Sequence, residues 1–408
     1  MLEEEKMEQK RGRRVFFVGF LAAAWVFSLS LVAETRAEQE AAGESEPLGL
    51  AMQAVEEAGL GSLFSSLGLK LSGWIAQSYT FNPHKPEDRL NRFRVFDERS
   101  NDYRMNQLSL ILERPLAEGK DMDWGFKVQT IYGADSRFIH SLDLPEADSP
   151  FTKHTVQVDP TQFYSLFRLP VGEGLTVKMG KYVTTLGYEV IDAHGNALYS
   201  HSYLFGYAIP FTHTGVQFDY QAADFLSLYY GLVRGWDVVT TDLNSGFSHM
   251  FGLGVKPAQD LNLLLNVITG PETEGENNYR TVVDLVATWQ PLEKWSFALN
   301  VDVGHERLPD APGSLWWGVA GYVTYRWSPT VGTTFRAEYF RDETQTRLSG
   351  AKELTELTLG LDLYPIRGFK NLRFRPEVRW DHAFGRTPFD AGSKKDQLSL
   401  AGDVIFTF

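Results

Sequence analysis

The chain has 408 residues, no cysteine and a formal net charge of −13. The missing thiols exclude a disulfide scaffold and a thiolate metal site. The acidic balance argues against a nucleic-acid surface, which needs an excess of Lys and Arg to neutralise phosphates.

Residues 1–37 read as a signal peptide. Lys10, Arg11, Arg13 and Arg14 precede the apolar run Val15 to Ala33, and small residues lead to a cleavage point after Ala37, with Ala33 as the alternative. The run is long enough that a retained anchor helix competes with this reading. Nothing later in the chain resembles a transmembrane helix, so a membrane protein with this sequence must span by strands. Residues 38–67 are acidic and then weakly amphipathic. Leu50, Ala54 and Ala58 share one helical face and predict short helices in a periplasmic segment.

From Leu69 the hydrophobic period changes to two. Strands are predicted at 69–82, 102–114, 123–134, 159–169, 174–183, 212–221, 225–236, 246–256, 260–270, 279–290, 294–304, 315–327, 330–342, 353–364, 370–382 and 396–408. The count of sixteen is good to about two. The connections alternate in length. Tight turns such as "AAD", "PAQ", "PLE" and "SP" alternate with polar stretches such as 83–101, 135–158 and 184–211. An outer-membrane barrel sorts its loops in this way, with short periplasmic turns and long external loops. The expected fold is an all-β, closed antiparallel transmembrane barrel over 68–408, with both termini periplasmic.

The strand faces fit that surrounding. In 372–381, Leu372, Phe374, Pro376, Val378 and Trp380 alternate with Arg373, Arg375, Glu377, Arg379 and Asp381. On a lipid face each charge would cost about 2–4 kcal/mol near the midplane. Inside a barrel it can stay hydrated or paired. An open sheet could not cross lipid, because its edge N–H and C=O groups would be unsatisfied. Trp289, Trp295, Trp327, Tyr364 and Phe369 fall at short-turn ends, and Trp124, Trp236, Trp316, Trp317 and Trp380 fall at strand ends too, most of them long-loop ends, as two aromatic girdles would. Phe408 ends the last amphipathic strand, where it is expected to serve as a signal to the barrel assembly machinery.

The segments "GKYVTTLGYEVID" and "YSHSYLFGYAIPFTHTGVQFDY" are similar to the signature of the putative β-barrel porin-2 (OmpL-like) family. "VDLVATWQPLEKWSFALNVD", "RAEYFRD" and "RFRPEVRWDH" resemble it too. The resemblance spans roughly 68 to 408 and implies an outer-membrane barrel with pore activity. It carries no catalytic set and no cofactor.

The interior wall is expected to be lined by Arg336, Glu338, Glu356, Asp362, Arg373, Arg375, Glu377, Arg379 and Asp381. Adjacent strands lie about 4.8 Å apart, so Arg373, Arg375 and Arg379 should pair in part with Glu356 and Asp362 on one side and Asp403 on the other. The wall as a whole is slightly basic, which points to weak anion preference or none. The long loop 184–211 is a candidate constriction, with Glu189, Asp192, His194, Tyr199 and His201 near the path; segment 47–66 is another candidate plug. His194, His201 and His213 lack a tight ligand repeat, so no metal site is expected. Ser200, His201 and Asp192 could supply hydrolase chemistry but sit in no nucleophile motif. The sequence thus reads as a porin passing small hydrophilic solutes or ions, in contact with outer-membrane lipid. The alternatives are a plugged structural or adhesive barrel and, less favoured, a hydrolase. Homo-oligomerisation stays open.

Overall fold

In the computed structural model, residues 49–142, 144, 155–240, 246–273, 275, 278–307 and 313–408 are described. The signal segment lies outside them. Sixteen strands form one closed antiparallel barrel: β1 Lys70–Phe81, β2 Asp102–Arg114, β3 Asp123–Gly133, β4 Gln157–Leu169, β5 Leu175–Val183, β6 Thr212–Ala223, β7 Leu226–Val233, β8 Ser248–Ala258, β9 Leu261–Pro271, β10 Tyr279–Leu292, β11 Trp295–Glu306, β12 Ser314–Ser328, β13 Val331–Asp342, β14 Glu353–Leu363, β15 Leu372–Ala383 and β16 Asp396–Thr407. Each strand pairs with its sequence neighbours, and β16 closes on β1. Closure removes both sheet edges, so no strand is left with an unpaired side.

The two-residue turns 224–225, 259–260, 293–294 and 329–330 lie at one end, and loops such as 82–101, 184–211 and 384–395 at the other. Side chains obey the expected phase. On β14, Leu357, Leu359 and Leu361 are exposed outward, whereas Glu356, Thr358 and Asp362 are buried inward. Pro376 perturbs one seam. Without an N–H it cannot donate to the ladder, and the β14–β15 pairing is interrupted between Gly360↔Glu377 and Leu363↔Phe374, with the register unchanged across the gap.

An aromatic belt follows the short-turn rim. Trp295 lies 4.7 Å from Tyr325, and Tyr325 lies 4.6 Å from Trp327, centroid to centroid. Trp236 and Trp316 do not join the opposite girdle. Both are buried in a hydrophobic cluster with Tyr203, Leu204, Phe340 and Leu348. The pleat turns Trp316 inward and Trp317 outward, so adjacency to a rim does not place a ring in lipid.

Two short helices precede the barrel: α1 Leu50–Glu57 and α2 Gly61–Leu67. Gly68, at φ 65°, ends α2 in the left-handed conformation that glycine adopts without a Cβ clash. The helices sit by the start of β1, where Met52 Sδ accepts from the Leu71 amide at 3.2 Å. A third helix, α3 Ser136–Ile139, opens the second long loop.

Candidate functional site: the lumen and its loop

Loop 184–211 folds through the barrel interior. Its local shape has plain causes. Asn196 braces it by accepting from the Val190 amide at 2.9 Å and donating to the Val190 carbonyl at 2.7 Å. These bonds enclose a single 3₁₀ turn, Ala193–Gly195. Ser202 Oγ accepts from the Phe205 amide and caps the wide turn Leu204–Ala208. Pro210 then holds Ile209 extended and ends that turn.

An irregular segment inside a barrel buries peptide groups that no ladder pairs. The wall supplies the missing partners. Arg336 donates to the Ser200 carbonyl at 2.6 Å, Arg375 to those of Asn196 and Leu198 at 2.6 and 2.9 Å, and Arg379 to that of His201. The acids take the amides. Glu377 accepts from Tyr199 and Ser200, and Glu338 from Tyr203 and Leu204 at 2.6 and 2.7 Å. The alternating charges of β13 and β15 are therefore a backbone-reading latch. Across the lumen, Asn300 on β11 accepts from the Tyr188 amide, Asn266 on β9 donates to the Thr185 carbonyl, and Gln107 on β2 donates to the Ile191 carbonyl.

The latch arginines are also paired with carboxylates, whereas Glu338 and Glu377 are satisfied by loop amides. Arg336 meets Glu356 at 2.5 Å and Glu189 at 2.6 Å; Arg373 meets Asp362 at 2.6 Å; Arg375 meets Asp403 at 2.5 Å; Arg379 lies 3.6 Å from Glu356. The Arg373–Asp362, Arg375–Asp403 and Arg379–Glu356 contacts are the cross-strand pairs that strand adjacency anticipates; Glu189 comes from the loop. The expectation of a hydrated wall needs correction. Of the nine wall residues, Glu338, Glu356, Asp362, Arg336, Arg375, Glu377, Arg379 and Asp381 are buried; Arg336 and Arg379 are 0% exposed. They face inward, but loop 184–211 lies over most of them. Arg373 is half-buried and reaches the His194 carbonyl at 2.8 Å.

The loop residues divide in the same way. Glu189, Tyr199 and His201 are buried inside the latch, Asp192 is half-buried against Gln129, and His194 is exposed beside Trp74, with ring centroids 4.4 Å apart. Burial would raise the Glu189 carboxyl, but the Arg336 guanidinium, His201 and the Ser202 amide hold it below the usual carboxylate range. Partial desolvation of the ring, whose residue is otherwise exposed, lowers the His194 imidazole; Asp192 opposes the shift, and Arg373, Arg375 and Lys127 reinforce it. Ser200, His201 and Asp192 do not form a relay. Ser200 Oγ is taken by Arg336, Asp192 by Gln129, and His201 Nε2 by Asn196 and the Val190 carbonyl. No group of three or more His, Asp or Glu side chains among the described residues converges as a metal site.

Loop 82–101 was not singled out from sequence, yet it caps the latch. Arg94, fully buried, donates to Asp381 at 2.7 Å and to Ser399 at 2.9 Å, and Phe96 packs edge-on against Phe205 and His201. The inward Asn and Gln residues on β2, β9 and β11 carried a signal, since amides on a strand's wet face often serve backbone groups. Away from the latch, half-buried inward charges remain: Lys127, Arg168, Lys178, Arg326 and Arg373 against Glu113, Asp123 and Asp219. Lys127 pairs with Glu113 at 3.8 Å, and Lys178 lies over the rings of Tyr164 and Tyr182.

A sixteen-strand barrel with an apolar exterior, a charged interior and an inward loop defines the class as outer-membrane porin. Known structures share the fold. The outer membrane channel DcaP of Acinetobacter baumannii superposes with a TM-score of 0.55 at 10% identity, over 83% of this chain and 97% of that one. An anion-selective porin from Comamonas acidovorans gives 0.55 at 9% identity, over 83% and 99%. The trimer form of Vibrio cholerae OmpT gives 0.53 at 11% identity, over 83% and 99%. Curated protein sequences give no match. The chain belongs to the family described as putative beta-barrel porin-2, OmpL-like, whose model matches residues 68–408.

Proposed function

We propose that this porin passes small hydrophilic solutes without an enzymatic step, through a lumen narrowed by loop 184–211, with a weak preference for anions. One observation carries the reading: the loop is tied to the wall through its own backbone, by Arg336, Arg375 and Arg379 at carbonyls and by Glu338 and Glu377 at amides. A loop held this way forms a fixed restriction. Beside it, the half-buried inward cations Lys127, Arg168, Lys178, Arg326 and Arg373 face Glu113, Asp123, Asp219 and the shared partner Asp362, a near balance with a slight basic excess, and charges at short range set the barrier for ions. His194, Asp192 and Arg373 are the groups proposed to border the restriction. The long-loop end is proposed to be external, with both termini periplasmic, the signal removed after Ala37 and residues 38–67 left as a periplasmic lead-in. Lipid and the assembly machinery are the proposed partners. A homo-oligomer is proposed by likeness to the trimer form of OmpT.

Reconstitution in planar bilayers tests this reading. It expects discrete conductance steps and, in a salt gradient, a small reversal potential of the anion-selective sign. Liposome swelling should decline with sugar size. A plugged barrel is the second reading, favoured by the buried cluster of Tyr203, Leu204, Trp316, Phe340 and Leu348 within the lumen. Folded protein with no conductance at any potential would select it.

A further inference from the structure

The long-loop rim at β1 and β2 carries a cluster of guanidiniums that the lumen latch does not use. Arg89 and Arg99 come from loop 82–101, Arg104 from β2, and Arg137 from α3. Glu98 is their shared partner. Its Oε1 lies 3.2 Å from Arg99 Nε and 4.0 Å from Arg104 Nη2, and it also pairs with Arg137. Arg104 has a second partner in Asp102 at 3.2 Å. The exposed Arg89 guanidinium has no hydrogen bond or ion pair among the described residues. Four guanidiniums thus face two carboxylates, one of which serves three of them. A cavity of about 490 Å³ opens there, lined by Arg89, Arg99, Arg104, Asp102 and Tyr103.

Clustered like charges repel, so an arrangement with two surplus cations around an open cavity favours an anionic occupant. The guanidinium fork fits the tetrahedral oxygens of phosphate and holds its charge at any physiological pH. Tyr79 and Tyr103, paired across β1 and β2, project outward beside the cavity at 49% and 60% exposure. Exposed tyrosines at strand ends mark a membrane–water interface. We propose that this rim cavity binds a phosphate group, with Arg89 and Arg99 as its principal donors and Arg104 held in place by Asp102. Two sources share that chemistry: the phosphate of a lipid headgroup at the adjoining bilayer surface, and a phosphorylated solute approaching the mouth. Binding is independent of conduction, and only the leaflet that would supply the lipid rests on the orientation proposed above.

The full-length mature barrel, folded in a non-ionic detergent, is titrated calorimetrically with inorganic phosphate at constant ionic strength. A second titration uses micelles doped with phosphatidic acid, with phosphatidylcholine as the blank. Saturable, one-to-one binding of either probe is expected. The variant Arg89→Gln/Arg99→Gln should weaken it at least tenfold, whereas Arg386→Gln, an exposed arginine on loop 384–395, should leave it unchanged. Binding of inorganic phosphate assigns the site to solutes; binding of phosphatidic acid alone assigns it to lipid. Arg89→Gln by itself removes an exposed side chain with no partner among the described residues, and it stands in if the double variant does not fold. Absence of saturable binding by both probes overturns the proposal, as does equal weakening by Arg386→Gln or no weakening by the Arg89 variants. A conducting porin that binds neither probe would sink this inference and leave the porin reading intact.

Discussion

Replacing Arg336 by methionine should loosen the loop without unfolding the barrel. The guanidinium is fully buried and donates to Glu356, Glu189, the Ser200 carbonyl and hydroxyl, and Thr358. Methionine keeps much of the side-chain volume but removes every donor. Glu356 then loses its closest cation, and Glu189 loses the charge that opposes its burial. Breaking one side of a buried ion pair costs about 3–5 kcal/mol, because the remaining charge is uncompensated. Most of that cost is relieved if the loop moves and lets water reach the carboxylates. The ratio of displaced to latched loop should therefore rise by roughly two to three and a half orders of magnitude, at about 1.4 kcal/mol per decade. The wall itself loses little, since β13 keeps its ladders to β12 and β14. Single-channel recording should show larger and noisier conductance, while the heat-modifiable gel shift of the folded barrel persists. Arg336→Met/Glu356→Gln should recover part of the quiet behaviour by removing one stranded charge. A folded Arg336→Met channel with wild-type conductance and noise would refute the latch.

Three further outcomes are expected. His194 is shifted downward by desolvation and by Arg373, Arg375 and Lys127, against Asp192, so it gains charge at more acid pH than an ordinary histidine; reversal potentials should shift toward anions on acidification, and His194→Gln should remove that component of the shift. Arg373→Gln should move the reversal potential toward cations, because this group is half-buried by the open lumen, whereas Arg375→Gln should chiefly raise conductance by freeing the Asn196 and Leu198 carbonyls; identical effects from the two would contradict the burial difference. Phe408 exchanges backbone hydrogen bonds with Gly73 at 2.9 and 3.0 Å, next to the seam that closes the barrel. Its deletion should lower the amount of inserted barrel several-fold by immunoblot, leaving the conductance of surviving channels unchanged.

The strands and their faces were legible because both are local. A period of two in "LRFRPEVRWD" commits Phe374, Pro376 and Val378 to one side and Arg375, Glu377 and Arg379 to the other wherever the strand sits. Consecutive strands are neighbours in an up-and-down barrel, so even the Arg375–Asp403 and Arg373–Asp362 pairs could be anticipated from their order. Length and polarity marked loop 184–211 as a candidate constriction, but its contacts with the wall and the cap made by loop 82–101 could not be read. Arg94 and Asp381 meet across 287 residues, and no periodicity links them. Trp236 and Trp316 looked like girdle residues because a rim position carries no record of what fills the lumen behind it. The wall charges posed the same problem. Their sign and spacing suit a hydrated channel as well as a latch, and only the path of the loop decides between water and peptide groups as their partners. That path is set by which buried N–H and C=O groups find acceptors and donors within reach, a condition that exists only once distant strands have closed around them.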